Sequence, residues 1–110
     1  MSIYITQGRF TEHAMKGMLG KPEDRGPEVQ KLIEAAGGKF LAYYMTMGEY
    51  DFLLITEGQG EEDVLAALVV AGAGGGVTGL KTTQAFTTAT GKKVFERAGK
   101  LAGAFRSAGT

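Results

Sequence analysis

One segment constrains this chain more than any other: Thr46-Met47-Gly48-Glu49-Tyr50-Asp51-Phe52. It sets a glycine-centred turn between two apolar runs, Phe40-Leu41-Ala42-Tyr43-Tyr44-Met45 and Phe52-Leu53-Leu54-Ile55. Both runs are short and rich in aromatic and branched residues. They therefore read as strands, and the turn makes them a hairpin. A tyrosine and an aspartate at such a turn either fix the loop or face a ligand.

The segments around this hairpin predict the rest of the fold. Ser2 to Phe10 alternates, with Ile3 and Ile5 on one face and Tyr4 and Thr6 on the other, which is a first strand. Thr11 offers an N-cap hydroxyl, and Glu12 follows it where a helix dipole favours an acid. Gly20 and Pro22 interrupt the short stripe of Ala14, Met15, Met18 and Leu19, so the helix bends or restarts. Pro27 suits a first helical position. Val29, Leu32, Ile33 and Ala36 then recur at helical spacing before the stop at Gly37-Gly38.

After the hairpin, Glu61, Glu62 and Asp63 open a helix filled by Val64, Leu65, Ala67, Leu68 and Val69. A fourth strand is expected from Val77 to Thr87. It follows the glycine run Gly72-Ala73-Gly74-Gly75-Gly76. That run follows a helix and opens a strand, the reverse of a nucleotide-binding loop, and reads as a plain connection. From Thr90 onward Val94, Phe95, Ala98, Leu101, Ala102 and Phe105 recur at helical spacing among Lys92, Lys93, Arg97, Lys100 and Arg106. This predicts an amphipathic helix docked on the domain or on a neighbour.

The predicted order is β-α-β-β-α-β plus a C-terminal helix, an α+β fold of the ferredoxin-like kind. Residues 1–88 form the domain and 89–110 the tail. Strict alternation puts Phe40, Ala42 and Tyr44 on one face of the second strand and Leu41, Tyr43 and Met45 on the other. Both sheet faces are then apolar, while helices cover only one. The simplest second cover is another copy of the same sheet, so the expected partner is the chain itself, in at least a dimer.

Composition excludes several functions. A chain of 110 residues forms one domain with a small core. Twelve basic and twelve acidic residues balance, so no basic face for nucleic acid is expected. With no cysteine, thiolate catalysis and cysteine metal sites are ruled out. No cofactor or metal is expected. The first residues lack signal-peptide features and no apolar stretch spans a bilayer, which predicts a soluble cytoplasmic protein without a membrane partner.

The residues Gly48, Tyr50 and Asp51, preceded by Thr46-Met47, resemble the signature of the GYD-domain proteins, small bacterial proteins named for Gly-Tyr-Asp. The similarity extends to Thr11-Glu12, to Glu34-Ala35-Ala36-Gly37-Gly38-Lys39 and to Ala85-Phe86-Thr87, roughly residues 1 to 90 in all. The resemblance implies a dimeric α/β barrel in which two ferredoxin-like sheets face each other. The family carries no established reaction, so it implies a fold and not a chemistry. The Gly72–Gly76 stretch and the basic tail look particular to this chain.

Three functional readings follow. The first is a homo-oligomeric module binding a small, partly apolar molecule in a pocket of Tyr4, Thr6, Tyr44, Thr46 and Phe52, with Tyr50 and Asp51 at its mouth. The second is a small cofactor-free enzyme of the dimeric-barrel type, with His13 or Asp51 as base. The third is a structural assembly protein, joined through the glycine run and the tail. Against the first two stand ordinary roles: Asp51 accepting N–H groups within the turn while Tyr50 packs over it, and His13 facing solvent in a first helical turn. Met15, Met18, Met45 and Met47 fit an adaptable pocket or plain packing. The chain has no evident nucleophile–base pair, so binding ranks above catalysis.

Overall fold

The structure is a computed structural model and describes residues 2–58 and 60–110. Its strands are β1 (Ile3–Phe10), β2 (Lys39–Met45), β3 (Phe52–Glu57) and β4 (Val77–Ala85). The helices are α1 (Glu12–Gly20), α2 (Gly26–Ala35), α3 (Glu61–Ala73) and α4 (Thr88–Leu101). The strands form one antiparallel sheet in the order β2-β3-β1-β4, the ferredoxin-like arrangement.

Local chemistry sets the boundaries. The Thr11 hydroxyl accepts the Ala14 amide at 3.1 Å and starts α1. Its own proton goes to the Gly75 carbonyl at 2.7 Å, so the glycine connection is tied to the start of the first helix. Asp24 accepts the Gly26 amide at 2.9 Å just ahead of α2, where Pro27 sits in the first turn. Gly37, at φ +84°, lets the Gly38 amide reach back to the Ile33 carbonyl at 2.9 Å and ends that helix.

The core lies between one sheet face and the helices α2 and α3. Tyr4, Thr6, Phe52, Leu54 and Thr56 point into it, and Leu54 meets Ile33 of α2 and Ala67 of α3. Thr6 and Thr82 satisfy each other across the strands, hydroxyl to hydroxyl at 2.9 Å. Gly8 leaves room for two side chains: a Cβ there would lie 2.6 Å from Phe52 Cζ and 2.8 Å from Leu80 Cδ2, and both would have to shift. On the opposite face Ile3, Ile5, Leu53 and Ile55 are only half-buried, beside Ala42 and Tyr44. Among the described residues, no helix covers that second apolar face.

Two expectations need correction. First, β2 does not alternate strictly. Phe40 pairs with Thr56 and Ala42 with Ile55, so Leu41 is the extra residue of a β-bulge. The bulge shifts the phase of the strand by one residue. Phe40 and Tyr43 therefore share the core face, and Ala42 and Tyr44 turn to the open one. Second, of the two places expected for the tail, its own domain or a neighbour, the first is not used. Strand β4 ends at Ala85, two residues early, and α4 begins at Thr88 on its own N-cap, the Thr87 hydroxyl. From there α4 projects away from the body with nearly every residue exposed. The radius of gyration is 18.0 Å, against about 13 Å for a compact domain of this length.

Candidate functional site

The signature turn comes first, because it carries three of the candidate residues, Thr46, Tyr50 and Asp51. Gly48 stands at φ +126°, a backbone region closed to other residues without strain. The Thr46 hydroxyl donates to the Tyr50 carbonyl at 2.7 Å, and the Thr46 amide to the Asp51 carbonyl at 2.8 Å, which closes the loop. Asp51 then reaches out of the turn to β1. Its Oδ2 accepts the Phe10 amide at 2.9 Å while its own amide donates to the Gly8 carbonyl at 2.8 Å. The expected bonds within the turn are thus replaced by bonds to the neighbouring strand. Tyr50 lies under the Arg9 guanidinium, 5.3 Å from ring centre, and Arg9 Nε donates to the Glu49 carbonyl at 2.7 Å. Tyr50 and Asp51 fasten the hairpin to the end of β1, and Gly48 gives the turn its shape.

The structure does not assemble the expected pocket of Tyr4, Thr6, Tyr44, Thr46 and Phe52. Tyr4, Thr6 and Phe52 are buried against the helices. Tyr44 is on the opposite sheet face and 61% exposed, put there by the bulge at Leu41, and Thr46 serves the loop. The inserted residue takes Tyr44 from the expected group, and the loop takes Thr46.

A different cleft opens at the end of β1, where the helices part. Three adjoining hollows of about 370, 220 and 340 Å³ all include Phe10 and Arg25 in their walls. The largest is lined by His13, Gly17 and Met18 of α1, with Lys21, Glu23 and Arg25 of the following connection. The second adds Tyr43 and Met45, and the third adds Val29 and Leu32 of α2 with Val70 and Ala71 of α3. Behind Tyr43 lies a narrow apolar space of about 80 Å³ between Val29, Leu32, Leu80 and Phe52.

Chemically the cleft has an apolar floor and a charged rim. Phe10 packs on Phe52 at 5.4 Å between ring centres, and Tyr43 packs on the same ring at 5.8 Å. Burial pushes the Tyr43 phenol above its ordinary pKa, and the Arg25 charge draws it partly back. A protonated phenol is a hydrogen-bond donor across the physiological range. The rim carries His13, Lys21 and Arg25 together with the acids Glu23, Asp24 and Glu28, and Arg25 Nη1 meets Glu23 at 3.0 Å. Of the residues named from sequence as a possible base or pocket lining, His13, Met18 and Met45 line this cleft, and Asp51 is not among its lining residues. Phe10, Arg25 and Tyr43 were not singled out by sequence. The one available signal was the polar, breaker-rich stretch 22–27, which leaves charged side chains at a gap between helices.

Among the described residues no group of histidine, aspartate or glutamate could hold a metal ion, and no helix is long and apolar enough to cross a membrane.

Comparison with known proteins agrees with the signature turn. The family model of the GYD domain matches residues 4–94. No curated protein sequence matches the chain. Among solved structures, the crystal structure of the hypothetical protein PHS023 from Pyrococcus horikoshii is 15% identical, with a TM-score of 0.51 over 79% of this chain and 92% of that one. The crystal structure of TTHA0845 from Thermus thermophilus is 16% identical, with a TM-score of 0.48 over 79% of this chain and 95% of that one. At its level of identity the first likeness bears on the fold alone.

Proposed function

We propose that this chain, which belongs to the GYD-domain family, is a homo-oligomeric module that binds a small amphipathic anion in the cleft at the end of β1. The observation that carries the reading is the convergence of the three hollows on Phe10 and Arg25. An apolar body fits against Phe10, Met18 and Tyr43, with the narrow space behind Tyr43 taking its end. Its anionic group meets Arg25, Lys21 and His13, and a guanidinium suits a carboxylate or sulfonate through paired donors. Self-association is supported by the uncovered face of Ile3, Ile5, Leu53 and Ile55, which a second copy would cover.

Titration with anilinonaphthalene sulfonate, an aromatic body with one anionic group, tests the site. Arg25→Ala removes the anion's partner. Gly17→Phe fills the largest hollow, since a Cβ at Gly17 meets nothing within 4 Å. Arg25→Ala is expected to weaken binding about tenfold or more, the loss that follows from one charge-assisted hydrogen bond, and Gly17→Phe to weaken it by taking the ligand's space. Ile5→Lys, on the far sheet face, leaves the cleft site intact. Binding that ignores Arg25→Ala and Gly17→Phe overturns the reading.

A second reading keeps the same cleft and makes His13 a general base. It rests on His13 lining the largest hollow together with Arg25. A ligand bound by the His13→Gln variant but chemically changed only by the parent chain would establish it.

A further inference from the structure

Helices α3 and α4 each present a surface that the folded chain leaves without a partner. Helix α3 is apolar on every side, the pattern of a helix covered all round. Only its inner residues Val64 and Ala67 are buried; Leu65 and Val69, one turn apart on the outer side, are each 61% exposed. Its first turn holds Glu61, Glu62 and Asp63, and the helix contains no basic residue. Helix α4 has the opposite character. Val94, Ala98 and Leu101 form one apolar file, flanked by the basic file Lys93, Arg97 and Lys100, and none of its residues is buried. The helix holds four cations against the one acid Glu96.

We infer that α4 of one chain packs along the outer face of α3 in a second copy of the chain. Three features match the two surfaces. Their lengths agree, at 13 and 14 residues. Both offer an apolar file with small residues, Gly72 and Ala73 on α3 and Ala98 on α4, which lets helices approach closely. Their charges are opposite: the acidic first turn of α3 faces no cation of its own helix, and α4 brings a row of them. The extended course of α4 away from β4 keeps it clear of its own α3 and available to a neighbour. This contact uses neither the cleft nor the open sheet face, so it stands or falls apart from the proposed ligand site.

Site-specific cross-linking of the full chain tests it, because the natural sequence has no cysteine. Val69→Cys and Ala98→Cys lie at mid-stripe on the two helices, so they meet whether the helices run parallel or antiparallel. Mixing the two single variants under mild oxidation should give a disulfide-linked dimer. Adding Glu61→Lys with Glu62→Lys should lower the yield, and charge reversal at Lys92 and Lys93, or at Arg97 and Lys100, should restore it. The inference is overturned if the mixed variants stay unlinked. It is equally overturned if a chain carrying both cysteines closes the bond within itself.

Discussion

The Asp51 carboxylate accepts the backbone amide of Phe10 across 2.9 Å, from a turn on one hairpin to the last residue of a strand outside it. Phe10 is also a wall of each of the three hollows. The signature aspartate therefore works at the site through position: it fixes the backbone of the residue on which the cleft is built. Tyr50 adds to the same fastening beneath Arg9, and Gly48 shapes the turn by its backbone angle.

Replacing Asp51 tests that role. Asp51→Ala leaves the Phe10 amide without its acceptor and should lower stability by about 1–3 kcal/mol. Asp51→Asn keeps an acceptor oxygen and should lose less. Urea unfolding of both variants checks the order. Equal stability of Asp51→Ala and the parent would remove the fastening role.

Gly8→Ala should destabilise the domain by about 1–3 kcal/mol, because the added methyl drives into the Phe52 ring and Leu80. The double variant with Leu80→Ala should recover part of the loss. A thermal melt of Gly8→Ala matching the parent would mean that the core face of β1 is looser than its 2.6 Å approach indicates.

Tyr43 gives a prediction for alkaline pH. Its folded pKa is raised, by burial first, so between the unfolded value near 10 and the higher folded value the native chain holds a proton that the unfolded chain has lost. Stability should be unaffected by this group below that window and fall as pH rises through it. Tyr43→Phe should flatten the decline. Phenolate absorbance should show one tyrosine ionising late in the parent, and its persistence in Tyr43→Phe would assign the late group elsewhere.

Much of this architecture was legible in the chain, for reasons local to each element. The hairpin announced itself through Gly48 between two apolar runs, and α1 through Thr11 and Glu12. The stop of α2 was written in Gly37-Gly38. The bulge at Leu41 was not legible, because nothing in Phe40-Leu41-Ala42 distinguishes an inserted residue from a paired one. That residue decides the face of Tyr44, and with it the composition of the expected pocket. The partner of Asp51 was hidden for a related reason: it lies 41 residues away in sequence. The cleft itself joins Phe10, Arg25 and Tyr43 from separate elements, and periodicity within one segment carries no information about such a meeting. His13 was found because it is the chain's one histidine.

The open sheet face predicts association. Ile5 sits at its centre, opposite Ile55 on one side and Thr83 on the other. Ile5→Lys should reduce the mass in solution without unfolding the chain, since the core face is untouched. Light scattering that gives an unchanged mass would move the interface elsewhere.

Native mass spectrometry of the full chain, purified from its own host, tests the account most directly. A homo-oligomeric binding module predicts an assembly of two or more subunits carrying a small anionic molecule, with that extra mass missing when Gly17→Phe occupies the cleft. A bare monomer, or an added mass that Gly17→Phe retains, would contradict it.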